Sequence, residues 1–254
     1  MNKKRLYPLT VFLLLLLTAC GSAGLPLEDV PNPDGPGEIL TARVLSREED
    51  AFLLAGLTDP YPDLYVLSRS DLEAAGLSSE DLGPGARAEL TFDGSVLETW
   101  PAKIGNLTGC TVIDDGRDRL YQLYLDVLED LWEKDPALHD DITKIGFDLS
   151  STRLTASERA GVEYLFAKAH GNPEIVTGTW QELADQGIID GENLSWEDGV
   201  FLSISETTDE PGRVTFHAQM WRSGLGAYWL NDCTSSMLVG GDWEPYTVGS
   251  EAIS

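Results

Sequence analysis

"RLYQLYLDVLEDLWEKD" (residues 119–135) is the stretch on which the reading of this chain turns. Leu120, Tyr124, Val127, Leu128 and Leu131 recur at helical spacing, while Asp126, Glu129, Asp130 and Glu133 fall mostly on the other face. That is an amphipathic helix, and it marks a change of character. The chain before it reads as strand, and the chain after it mixes helix with sheet. The seam falls near residue 110. The expectation is two domains, an all-β small barrel over 38–113 and an α+β domain over 114–254 with helices packed on an antiparallel sheet.

Upstream, "EILTARVLS" (38–46), "AFLLAG" (51–56) and "LYVLS" (64–68) are short apolar or alternating runs bounded by Asp, Pro and Gly, the punctuation of strands. Ser70 and Glu73 have capping-box spacing and Gly76 suits a stop, so one short helix follows the third strand. "ARAELTF" and "SVLETW" flank Asp93-Gly94, a two-residue hairpin signal. Five strands with a helix after the third suit a Greek-key barrel of OB type. The segments 86–92, Asp93-Gly94 and "ETWPAKI" (98–104) also resemble the YobA-like group of Gram-positive lipoproteins. That resemblance implies fold and location, and no chemistry.

Downstream, "TASERAGVEYLFAKAHG" (155–171) carries a capping box, Thr155 and Glu158, an apolar stripe of Val162, Leu165, Phe166 and Ala169, and a Gly171 stop. Thr179, Glu182 and Gly187 repeat the device in a smaller helix, and "ITKIGFDLS" (142–150) is a strand between helices. "GVFLSIS" (199–205), "RVTFHAQMW" (213–221), "GAYWLND" (226–232) and "DWEPYTVG" (242–249) read as an antiparallel meander. In topology this resembles cystatin-like and NTF2-like folds, which host many functions.

The N-terminus sets the expected location. Lys3, Lys4 and Arg5 precede the apolar run 9–17, the pattern of a signal peptide over 1–19. The run is well short of the roughly 20 residues that span a bilayer. Leu17-Thr18-Ala19-Cys20 resembles the lipobox of bacterial lipoproteins. The resemblance implies diacylglyceryl transfer to Cys20, palmitate-type acylation, cleavage before Cys20 and a lipid-anchored protein of the cell membrane, facing outside the cytoplasm. Residues 21–37, with four prolines and four glycines, read as a flexible tether reaching roughly 20–25 Å.

Cleavage would remove three basic residues and no acid, taking the net charge from −26 to −29. Such an acidic chain does not bind nucleic acid through neutralised phosphates. Signatures of nucleophile elbows, P-loops, zincins and dinucleotide sites are absent from the sequence. His139, His170 and His217 are too scattered for a zinc set, and "DDGRD" (114–118) and "DGENLSWED" (190–198) miss the EF-hand spacing. No cofactor and no metal site is expected.

The face offered for binding is the polar side of the meander. His217, Gln219 and Trp221 alternate on one face of a strand, and Arg222 and Tyr228 are expected to reach it across the turn, a recipe for a peptide, glycan or anionic ligand. Cys110 and Cys233 are the two thiols beyond Cys20. They read either as a disulfide, whose loop closure would stabilise by roughly 4–5 kcal/mol, or as buried thiols. Cys233 follows Asp232, an unfavourable setting for a nucleophile. The functional expectation is a binding or accessory module at the envelope. The alternatives are a hydrolase using carboxylates, or a structural or sensory subunit of a membrane complex.

Overall fold

The computed structural model describes residues 37–113, 117–208 and 210–254. The signal segment, Cys20, residues 21–36 of the tether, residues 114–116 and Asp209 lie outside the described residues. Among the described residues no helix is long and apolar enough to cross a membrane. Over the described residues the protein is mostly β, with two mixed sheets and four α-helices.

The first sheet is built from β1 (Glu38–Arg47), β2 (Ala51–Gly56), β3 (Leu64–Ser68), β4 (Arg87–Phe92), β5 (Val96–Leu97), β6 (Ala102–Ile104) and β7 (Leu107–Ile113), with α1 (Arg69–Ala74) after the third strand. Its hydrogen-bonded order is β5-β6-β3-β2-β1-β4-β7. β6 runs parallel to β3, and β7 runs antiparallel to β4. β6 and β7 are separated by residues 105–106 alone, yet they sit toward opposite ends of that order. A link so short spans roughly 10 Å, so the sheet must curl strongly.

Two expectations here are corrected. Asp93-Gly94 does not close a hairpin of β4 with β5. β4 uses its two edges for β1 and β7, and β5 pairs with β6. Asp93 is instead taken up by its own loop, accepting from Ser95 N at 3.0 Å and from Asn106 Nδ2 at 2.7 Å. The helix after β3 is capped by Ser68, which accepts from Asp71 N, and not by Ser70.

The second sheet has the order β13-β12-β11-β10-β8-β9. Its strands are β8 (Lys144–Asp148), β9 (Glu174–Thr177), β10 (Gly199–Glu206), β11 (Arg213–Ser223), β12 (Gly226–Ser236) and β13 (Ser250–Ile253). β10 to β13 form the expected antiparallel meander. The sheet as a whole is mixed, because α3 (Ala156–Ala169) crosses between β8 and β9 and so makes them parallel. "DWEPYTVG" adds no strand. It makes the isolated bridges Thr234–Thr247 and Met237–Trp243, and β13 supplies the outer strand.

Helices α2 (Leu120–Lys134) and α3 pack together in the largest core cluster, where Leu45, Leu53 and Leu64 of the first sheet meet Phe147, Leu202 and Phe216 of the second. α2 buries Leu120, Tyr124, Val127, Leu128 and Leu131, the stripe its periodicity predicts. α3 departs from its stripe. Val162 and Phe166 are buried, Leu165 is half-buried and Ala169 is exposed, while Ser157, Glu158 and Glu163 are buried. A helix buried on more than one side loses one-sided amphipathicity. Ser157 Oγ donates to Gly56 O of β2, and Arg43 Nε of β1 donates to Glu158 Oε1 at 2.6 Å. α3 also faces the second sheet, with Phe166 edge-on to Phe147 at 5.8 Å.

Candidate functional site

The alternation of β11 places His217, Gln219 and Trp221 on the face away from α2, as its sequence implies. Only part of that face is open. Trp221 is 7% exposed and lies edge-on to Trp180 of α4 (Trp180–Asp185), 5.6 Å between centroids, in a cluster with Trp196 and Phe201. His217 is half-buried, and its Nδ1 accepts from Asp232 N at 3.2 Å, so the ring proton belongs on Nε2. Gln219 is half-buried, opposite Trp229 on β12.

Arg222 and Tyr228 do not join them. Tyr228 pairs with Met220 in register and so shares the core face. Its hydroxyl donates to Glu251, and Lys134 Nζ stands 5.6 Å from its ring centroid. The Glu251 contact raises the Tyr228 phenol above its usual range. Arg222 spends its guanidinium on backbone, donating to Asp140 O at 2.7 Å and Glu197 O at 2.8 Å. Strand alternation made only the Arg222 outcome legible, since position 222 is two beyond Met220; the placement of Tyr228 follows from its register opposite Met220.

The cysteines are both unbonded. Cys110 is half-buried on β7 opposite Leu90. Cys233 is fully buried on β12 of the other sheet. Burial, reinforced by Asp232 and Glu251, pushes the Cys233 thiol up to about 11, the setting of an inert core thiol. In this structure both thiols are free, and of the two only Cys233 is fully buried. Among the described residues, no three His, Cys, Asp or Glu side chains are grouped to hold a metal ion.

Polar groups line several clefts among the described residues, three of which stand in contrast. One of about 710 Å³ lies between α4 and the 187–198 loop. Its carboxylates are exposed or already committed: Asp190 accepts from Glu192 N, Asn193 N and Asn193 Nδ2, and Asp198 pairs with Lys144 at 2.8 Å. A second, about 330 Å³, separates α2 from residues 242–246. Most of its polar groups are paired, through Arg119–Asp242, Tyr246–Asp130 and Trp243–Asp118, although Arg119 Nε is buried without a hydrogen-bond partner among the described residues.

The third cleft, about 400 Å³, is different. Trp100, in the loop joining β5 and β6, forms one wall and is 58% exposed. Ala156, Arg159, Ala160 and Glu163 of α3 line another side, and Ile175 and Thr177 of edge strand β9 a third. Glu163 is 6% exposed, and Thr177 Oγ1, at 3.0 Å, is its hydrogen-bond donor. Burial raises the Glu163 carboxyl from 4.5 to about 7, against the lowering influence of Thr177 and Arg159. A buried carboxyl with a single donor at an open cleft is the arrangement that marks functional sites.

Sequence reasoning missed this site. Glu163 follows Val162 in the apolar stripe of α3, and "ETWPAKI" contains Trp100, but nothing local brings the two together. The available signal was the small-residue spacing of Ala156 and Ala160 beside Arg159 and Glu163, all on one side of the helix. Comparison with family models, with curated proteins and with solved structures finds no match to this chain.

Proposed function

We propose that the chain is a lipid-anchored extracytoplasmic protein that works at the cell envelope as a binding or accessory module. The observation that supports binding over hydrolysis is the make-up of the Trp100 cleft. It holds one carboxyl, Glu163, where carboxylate-pair hydrolysis needs two facing across the substrate. An exposed indole beside a buried polar group instead suits recognition.

In this reading Cys20 carries the lipid, and residues 21–37 hold the folded body off the headgroups. Residues 38–113 form a barrel of OB type akin to the YobA-like lipoprotein module, with β6 and β7 as one interrupted fifth strand. Residues 114–254 are the α+β partner domain. The barrel is supported by the pairing: β1 takes both β2 and β4, β6 lies parallel to β3, and β7 lies antiparallel to β4. Nucleic acid has no place among the partners, since the charge of −26 repels phosphate.

Membrane fractionation with intact mass of the wild type and of Cys20→Ala tests the anchor. The wild type is expected in the membrane with the added mass of acyl chains, and Cys20→Ala is expected without them. A wild-type chain recovered with an unmodified Cys20 thiol contradicts the proposal.

A further inference from the structure

The Trp100 cleft also constrains the kind of ligand. Its volume of about 400 Å³ is that of a small-molecule site. Ala156 and Ala160 lie one turn apart on α3, and their short side chains leave that space. Arg159 acts on Glu163 through space, while its Nη1 donates to Leu154 O at 2.6 Å. The guanidinium and the carboxyl therefore stand on one side of the cleft as separate groups, with Thr177 Oγ1 beside the carboxyl.

The cleft carries one basic and one acidic side chain, Arg159 and Glu163. In a chain of net charge −26 this lining stands apart. A simple cation would meet Arg159, and a simple anion would meet Glu163. What fits is an uncharged ligand that offers donors and acceptors along one edge and an apolar face to the indole. A sugar ring has that form: its C–H face lies flat on an aromatic plane, and its hydroxyls both donate and accept.

We propose that the cleft binds a saccharide, with the ring stacked on Trp100 and its hydroxyls held by Arg159, Glu163 and Thr177. This rests on the reading of the chain as a recognition module and names its ligand class. The roles follow from the groups. Arg159 only donates, so it takes a hydroxyl or ring oxygen. Near neutral pH the Glu163 carboxyl is present in both forms; the ionised form accepts and the protonated form also donates. The groups facing it are Arg159 from its own helix and Thr177 from β9, with Trp100 across the cleft.

The test uses the full chain, purified from membranes in a detergent without a sugar headgroup. Saturation-transfer NMR is run with cellobiose, maltose and N,N′-diacetylchitobiose, and with glycine, alanine and lysine as zwitterions of similar polarity. The account expects transfer to at least one disaccharide and to none of the amino acids. Trp100→Ala removes an exposed ring and is expected to weaken binding by about tenfold or more. Ala160→Leu fills the cleft with a good helix former and is expected to abolish binding while circular dichroism is unchanged. Glu163→Gln is expected to flatten the pH dependence of binding.

No transfer to any of the three sugars, transfer to the amino acids instead, or sugar binding indifferent to both Trp100→Ala and Ala160→Leu overturns the site. Intact mass of the same preparation reports the acylation of Cys20 independently. A lipidated chain that binds no sugar overturns the saccharide site alone, and an unlipidated chain that binds sugar overturns the anchor alone.

Discussion

Helices α2 and α3 span 15 and 14 residues and pack against each other in one core, but they are held there by different chemistry. α2 buries a stripe of leucine, valine and tyrosine and turns Asp126, Asp130 and Glu133 outward. α3 buries Ser157, Glu158, Gly161 and Glu163 along with Val162, Phe166 and Ala167. Its capping-box residue Glu158 is also its tie to the first sheet through Arg43. Gly161 lets the helix approach the first sheet closely, since a Cβ there would stand 2.0 Å from Leu45 Cδ1. A helix that meets both sheets uses polar contacts for docking, and the side left over faces the Trp100 cleft.

The largest effect expected from this contrast is at Arg43. Arg43→Ala leaves Glu158, whose side chain is 8% exposed, with its Thr155 donors but without the guanidinium, and should cost about 3 kcal/mol or more in urea unfolding. Glu133→Ala on the exposed side of α2 should stay within about 0.5 kcal/mol. Equal effects at the two positions would break the contrast.

Next comes the pH dependence set by Glu163. Its carboxyl titrates near 7 in the folded chain against 4.5 unexposed to the fold, so the folded state holds the proton longer. Its contribution to stability is full below pH 4.5 and falls away as pH rises to about 7, a span of about 3 kcal/mol. Glu163→Gln should remove that slope, which differential scanning calorimetry across the range would show; an unchanged slope would assign it elsewhere.

Smaller still is Tyr124 of α2, whose hydroxyl donates to Glu206 Oε1 at 2.6 Å. Tyr124→Phe leaves Glu206 its bonds from Arg153 N and Nε, so a loss of about 1.5–3 kcal/mol is expected. The smallest is Thr155→Ala, which removes the α3 cap and should cost about 1 kcal/mol. Arg119, at the N-cap of α2, makes no side-chain cap, so Arg119→Ala should lack that penalty when both are compared by thermal unfolding.

The same contrast explains what was legible in the sequence. The stripe of α2 and the alternation of β11 are set by local periodicity, and both were readable. The capping boxes at Thr155 and Thr179 were readable because each is closed within four residues. Whatever depended on a second segment was not. Asp93-Gly94 has hairpin chemistry, but β7 outcompetes β5 for β4. Trp221 looked like an open platform until α4 covered it. β9 is four residues long and half-buried, too little pattern to distinguish from a loop, and it supplies Thr177 to the site. Glu163 looks like an ordinary surface acid, and only the first-sheet loop carrying Trp100 and the β9 edge make it a cleft residue.

The central claim is that α3 holds, in an open cleft, a carboxyl whose burial outweighs its polar partners. Carbon-detected NMR of side-chain carboxyls in glutamate-labelled chain, with Glu163 assigned by the signal missing in Glu163→Gln, reads it directly. The account predicts a midpoint near 7; a midpoint near 4.5, with the other glutamates, would contradict it.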